Sequence, residues 1–238
     1  QPVGAFGAGW QLAYESRITV RSGGVDVGRG SGAVLPFAGP GFSPGGAAPS
    51  SDVRLTPPPS HRKRLTWRAA THDFVLEDLE THTFSRYEAA SDRTDEFRLT
   101  SVGDANGNAV RIGFEGGVRT AAARIVSLTD AAGRATTFEY PDAQQPAVAM
   151  TAPDGRRAEY TYTDVCVGTP CRKMLATSKD FLGTLTRFTY DASGNTTVLT
   201  TPAGIGHVFA YNRVNLNSSY QAPLSGTTAY RYDRDRRL

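Results

Sequence analysis

Gly133-Arg-Ala-Thr-Thr-Phe138-Glu-Tyr140 and Gly155-Arg-Arg-Ala-Glu-Tyr160-Thr-Tyr162 share one layout: a turn glycine, then two apolar or aromatic residues five and seven positions on. The layout recurs in Gly107 with Ile112 and Phe114, Gly183 with Phe188 and Tyr190, and Gly204 with Phe209 and Tyr211. A copy one residue shorter pairs Gly226 with Tyr230 and Tyr232. Successive glycines stand 26, 22, 28, 21 and 22 residues apart. Asp104, Asp130, Pro153 and Pro202 open the turns that hold four of these glycines, and Asp191-Ala-Ser-Gly194 adds a turn directly after the Phe188/Tyr190 pair. Short aliphatic and threonine runs precede the turns: Ile125 to Thr129, Val148 to Thr151, Met174 to Thr177 and Thr197 to Thr200.

Aspartate, asparagine, proline and glycine supply the side-chain acceptors and special φ values of tight turns. An aromatic-x-aromatic pair sets both rings on one face of a strand, because successive side chains alternate. A unit of ~22 residues holds two strands of ~7 residues and two turns. One such hairpin is marginal alone, so neighbouring units must stack to bury their shared face. The pattern predicts an all-β chain, an antiparallel sheet of hairpin repeats over residues 104–238, with about six units and the last truncated.

Working outward, residues 1–103 read as lead-in strands, Leu12 to Val20 being the clearest, with strands resuming from Leu65 to about Leu99. Between them, residues 38–60 hold Gly39, Pro40, Gly41, Pro44, Gly45, Gly46, Pro49 and Pro57-Pro58-Pro59, a composition expected of a mobile or surface loop that interrupts one continuous sheet. The longest candidate helix, Thr120 to Val126, is an alanine-rich turn or two. The chain begins at Gln1 and ends at Arg236-Arg237-Leu238 inside the pattern, which we read as a piece of a longer protein whose cut edges are expected to self-associate.

The formal net charge of +3 is mild and its arginines are scattered, whereas a nucleic-acid binder gathers them in a stripe. The dense cluster His61-Arg62-Lys63-Arg64, with Arg68, is expected at a solvated loop end. No apolar run approaches the ~18 residues that span a membrane. Gly28-Arg-Gly30-Ser-Gly32 has the look of a phosphate loop, but no helix follows to supply the anion site, so a plain turn is expected. Asp92, Asp95 and Glu96 stand among Arg86, Arg93 and Arg98, the pattern of a charge-balanced solvated loop. His61, His72, His82 and His207 have no metal-like pairing. Cys166 and Cys171 flank Gly168 and Pro170, where a small-loop disulfide and two free thiols both fit, while a zinc site lacks further ligands at matching spacing. Asn195 and Asn217 begin glycosylation sequons, which matter in a eukaryotic secretory pathway. No nucleophile, base and orienting group come together, so no catalytic, cofactor-binding or metal residue is assigned.

The units quoted above, together with Arg187-Phe-Thr-Tyr-Asp-Ala-Ser-Gly194-Asn195, resemble YD repeats of the bacterial Rhs family. Tyr-Asp stands intact at Tyr190-Asp191 and Tyr232-Asp233, and is altered at Tyr140-Pro141, Tyr162-Thr163 and Tyr211-Asn212. Gly4-Ala-Phe-Gly-Ala-Gly9-Trp10 is similar to the segment preceding such repeats, and Gly30 to Phe37, Phe74-Val-Leu76 and Thr83-Phe84 to the early strands. The resemblance implies a sheet that spirals into a hollow cocoon around a C-terminal toxin domain, secreted or delivered to other cells. Its partners would be the remaining repeats, the toxin domain and secretion-system components. The family's self-cleavage machinery has no counterpart here, so the resemblance implies a structural role and no cofactor. YD repeats also occur in adhesive surface proteins, which gives the alternative of a cell-surface adhesion or carbohydrate-binding protein with glycan affinity.

Overall fold

The computed structural model describes residues 3–117, 119–166 and 169–233. Among these the chain is almost wholly antiparallel β-structure, as expected, and the one helical piece is a 3-10 turn at Glu115–Gly117. Two compact units form, Gln11–Phe138 and Gln1–Trp10 with Glu139–Leu238. These are packing units; the sequence pattern itself changes near residue 104.

β1 (Val3–Gly4) and β2 (Gly7–Ala8) make a small hairpin. Then follow β3 (Arg17–Arg21), β4 (Gly24–Gly28), β5 (Val34–Ala38), β6 (Val53–Leu55), β7 (Lys63–Arg68), β8 (Asp73–Asp78), β9 (Thr83–Ala89) and β10 (Glu96–Gly103). Each pairs with the next, β5 reaching β6 through the Ala38–Thr56 bridge, and Glu96–Arg98 of β10 returns to Arg17–Thr19 of β3. The lead-in therefore closes into a barrel instead of running on as one open sheet. About eight strands leave an interior that side chains can fill, and Ile18, Val25, Val27, Phe37, Leu65, Trp67 and Phe74 fill it at 0–1% exposure. β10 continues past a bulge at Leu99/Ser101, so that Ser101–Gly103 pairs with β9 on one side and β11 (Ala109–Phe114) on the other. β12 (Ile125–Thr129) and β13 (Ala135–Glu139) complete this unit.

Three expectations change here. The glycine- and proline-rich stretch is exposed over much of its length, yet Phe42 is buried against Trp67 and Phe74, and the Trp67 indole donates to the Pro49 carbonyl at 2.9 Å. One aromatic anchor thus ties the stretch to the core, and β6 within it supplies a barrel strand. The candidate helix at Thr120 is a turn, Ala123 N–H donating to the Thr120 carbonyl, followed by β12, because Ile125-Val126 is β-branched and pairs with β11. The basic cluster lies partly in β7, not at a loop end: Lys63, Arg64 and Arg68 stand directly opposite Asp78, Glu77 and Asp73 of β8 and pair with each.

In the other unit β14 (Ala149–Thr151), β15 (Arg157–Val165), β16 (Arg172–Lys179), β17 (Leu185–Tyr190), β18 (Thr196–Thr200), β19 (Gly206–Tyr211), β20 (Asn217–Gln221) and β21 (Thr227–Ala229) form a meander in which each strand pairs with the next. The aliphatic runs read from sequence are the even-numbered strands, and the glycine-led aromatic segments are the odd-numbered ones.

Candidate functional site

The repeat is built from its turns. At Asp104, Asp130, Asp180 and Asp191 the residue's N–H donates to the carbonyl four positions on, and the residue three on donates back to its carbonyl. The carboxylate Oδ1 of each accepts the amides two and four residues later at 2.9–3.0 Å. Asn212 builds the same turn with its amide oxygen, and Thr201 a thinner version with its hydroxyl. The fourth turn residue is left-handed, for instance Gly133 at φ 81° and Gly183 at φ 84°, which is why glycine recurs there; Asn215 takes the place at φ 59°. Hydrogen bonds hold the carboxyls of Asp104, Asp130 and Asp180 below the usual range. The Asn108 side chain leads at Asp104, the Arg134 amide at Asp130 and the Thr184 hydroxyl at Asp180, with the turn amides adding to them. At Asp191 burial works upwards, and the bonds from Asn195 and Ser193 outweigh it.

Four of the six glycine-led pairs carry a bulge in their pairing. The register slips between Gly113 and Phe114, Thr161 and Tyr162, Thr189 and Tyr190, and Ala210 and Tyr211, in every case just before the second ring. A bulge bends the strand and adds right-handed twist. The second ring is also a latch: Tyr162 donates its hydroxyl to the Ala147 carbonyl, and Tyr190 to the Leu175 carbonyl at 2.7 Å, each reaching 15 residues back. Burial pushes both hydroxyls up, and at Tyr162 the neighbouring Tyr160 and Tyr140 add to it. The Tyr190-Asp191 dipeptide is thus a latch followed by a turn acceptor. Tyrosine as the second ring in five of six units was the sequence signal for the latch; packing alone would accept phenylalanine equally.

Cross-strand pairing sorts the unit's side chains onto two faces. Glu159 pairs with Lys179, Thr161 with Thr177, and Thr177 with Arg187 on the polar face, where Lys179 reaches Glu159 at 3.1 Å and the Thr161 and Thr177 hydroxyls meet at 2.7 Å. Tyr160 and Phe188 lie on the other face. Residues 5–10 cover that face between Ala147 and Phe188: the Ala147 amide donates to the Ala5 carbonyl, Phe6 packs on Tyr160 at 4.6 Å, and Trp10 stands edge-on to Phe188 at 5.2 Å. Gly7, at φ 90°, lies so close that a Cβ would come within 2.6 Å of the Lys173 carbonyl oxygen. The lead-in's Gly-Trp motif is therefore a docking segment. Sequence reasoning missed this because the contacts span some 150 residues.

The remaining sequence candidates fall into structural roles. Cys166 and Cys171 are joined in a disulfide at the exposed tip of the β15–β16 hairpin, the segment inserted in the long 28-residue interval. Gly28 to Ala33 is the β4–β5 turn, as expected. His72 and His82 are exposed and left-handed, directly before β8 and β9 respectively, and His207 Nδ1 contacts the Tyr220 hydroxyl at 2.7 Å. The acidic and basic group at 92–98 is not a solvated loop throughout, because Glu96 and Arg98 are buried in β10. Arg98 donates to the carbonyls of Thr120, Ala121 and Ala123 and lies over the Phe114 ring at 4.9 Å; burial pulls its pKa down. Asp73 is fully buried. Burial alone would raise its carboxyl, but hydrogen bonds from Arg68, Thr71 and Arg86 hold it below the usual range. The Asn195 amide is engaged by Asp191 and Asn215. Among the described residues no group of three or more His, Cys, Asp and Glu could hold a metal, and no helix is long and apolar enough to cross a membrane.

Turn acceptor, bulge, latch and one-faced burial define a β-protein built from antiparallel hairpin repeats. One stretch of this repeat has a counterpart among known families: residues 124–157 match the RHS Repeat model. Among solved structures it is similar to the Photorhabdus luminescens Tc holotoxin pore, at 13% identity and TM-score 0.41 over 95% of this chain. It spans 15% of that chain's length. The N-terminal domain of effector protein SpvB from Salmonella typhimurium strain LT2 matches at 12% identity and TM-score 0.38, over 96% of this chain and 91% of the other. Among curated proteins none matches the sequence.

Proposed function

We propose that the chain is a wall segment of an Rhs-type toxin shell, structural and not catalytic, which in a longer protein encloses a C-terminal toxic effector until delivery to another cell. The observation that carries this reading is the uniform hairpin repeat, matched to the RHS Repeat model over residues 124–157. Its chemistry suits a wall: the turns satisfy themselves, the strands satisfy one another, and the repeats around β15–β17 set aromatic residues on one face and threonine and ion pairs on the other. A closed wall of this kind removes its own strand edges and keeps cargo from solvent. The partners are then the remaining repeats, the effector and the secretion components that deliver it, and the setting is extracellular.

The test is to express the parent protein's region downstream of the repeats in a bacterial host, with and without the repeats. Growth arrest by the free region, relieved when the repeats are attached, is the expected result. Absence of toxicity in both forms, together with glycan binding by the repeats, would replace the shell reading with an adhesive one.

A further inference from the structure

The docking segment reads the sheet at a fixed interval. Phe6 meets Tyr160 and Trp10 meets Phe188, the first aromatics of two consecutive repeats, so four residues of segment cross one repeat. The residues between are Gly7, Ala8 and Gly9, and they are small for a reason: at Gly7 the backbone approaches the sheet too closely for a side chain.

The same face runs on past Phe188. Phe188 pairs with Leu199, Leu199 with His207, and Phe209, two residues further along β19, pairs with Tyr220, which pairs in turn with Thr228. This stretch has the geometry of the covered one but lacks its cover: among the described residues from 195 to 233 none is buried. Its rings are arranged beforehand. Phe209 stacks on Tyr220 at 5.2 Å, and Tyr220 is held by His207. A pre-formed aromatic platform loses little freedom when something binds it.

We propose that the strip from Leu199 to Tyr230 is a docking surface for an extended segment of a partner polypeptide, rich in glycine and alanine and bearing an aromatic residue at every fourth position. The occupant follows from continuity with the face that Ala5–Trp10 already covers: the next first-position rings, Phe209 and Tyr230, await the next two aromatics of such a segment. The inference concerns this surface whether or not the chain serves as a shell wall.

The test titrates the full chain with the synthetic peptide Gly-Ala-Phe-Gly-Ala-Gly-Trp, followed by calorimetry. Saturable binding is expected, lost when the peptide's Phe and Trp are both replaced by alanine. Phe209→Ser is expected to weaken it roughly fivefold or more, the worth of one aromatic pair. Val208→Ser, the neighbouring residue on the opposite face, is expected to leave it unchanged and controls for folding. No binding, or equal binding by wild type and Phe209→Ser, overturns the proposal. So does self-association of the chain that Phe209→Ser abolishes while no peptide binds, which would make a second copy the occupant.

Discussion

Phe188 and Phe209 hold the same place in consecutive repeats, five residues after the turn glycines Gly183 and Gly204, on the same face of one sheet. Phe188 is 9% exposed, under Trp10, and the covered unit also buries Ala147, Ala158, Met174 and Leu175. Phe209 is half-buried, and nothing around it is buried. Backbone pairing, turn design and bulge are alike in the two stretches, so the contrast isolates what a cover adds to a hairpin repeat. The repeat supplies hydrogen bonds and shape; burial of its aromatic face needs a second layer, because a sheet buries one face only against another element.

The largest effect should separate these two rings. Phe188→Ala is expected to cost about 3 kcal/mol, the usual range for emptying a buried aromatic site. Phe209→Ala should cost about 1 kcal/mol, since a half-exposed ring surrenders far less buried area. Urea midpoints of the two variants, followed by circular dichroism, measure the difference. Equal losses would mean that the cover contributes nothing to the covered stretch.

Removing the cover itself should come next. Gly7→Ala forces a side chain into a left-handed residue, a strain of about 1–3 kcal/mol, and adds a backbone clash with Lys173. The segment is expected to lift off instead of unfolding the sheet, so hydrogen exchange should speed up at the Ala147 amide, which donates to Ala5, and stay unchanged at the Tyr230 amide, which donates to Ser218. Acceleration at both would show the two stretches to be one cooperative body.

The latches give a smaller effect. Tyr190→Phe keeps the ring and removes the hydrogen bond to the Leu175 carbonyl, for an expected loss of about 1 kcal/mol. Tyr162→Phe, with its bond to Ala147, should cost a similar amount. A thermal shift of only a few degrees in each variant, with the dichroism spectrum unchanged, would agree with this; no shift would reduce the latch to packing.

What was legible in the sequence is what the repeat encodes locally. Glycines at left-handed turn positions, aspartates as turn acceptors and aromatics at alternate positions placed strand and turn within a residue or two: the run from Ile125 to Thr129 is β12 itself. What was not legible depends on partners far along the chain. Glu96–Arg98 closing on Arg17–Thr19, Phe42 entering the barrel core, and Phe6 and Trp10 covering the repeats leave no periodic trace. The basic cluster misled for a related reason: a charge run reads as solvated until the facing strand, with Glu77 and Asp78, is brought alongside.

The smallest expected effect sharpens the comparison at its turns. In the covered stretch Asp180 and Asp191 are the acceptors, with carboxyls held below their ordinary value; in the open stretch Thr201 and Asn212 do the same work and carry no charge. A depressed carboxyl pKa means that its contribution is complete above the ordinary value, near pH 4, and disappears as the pH falls through the lower folded value. In an acid titration followed by NMR, the Thr184 and Asn195 amides, which donate to those carboxylates, should therefore shift below about pH 4. The Ile205 and Leu216 amides, which donate to Thr201 and Asn212, should hold still. Asn212→Asp should then give Leu216 the same acid-dependent shift, transferring the behaviour of the covered turns to an open one by exchanging one amide for a carboxylate. If Leu216 stays fixed in that variant, the acid response belongs to the cover and not to the turn.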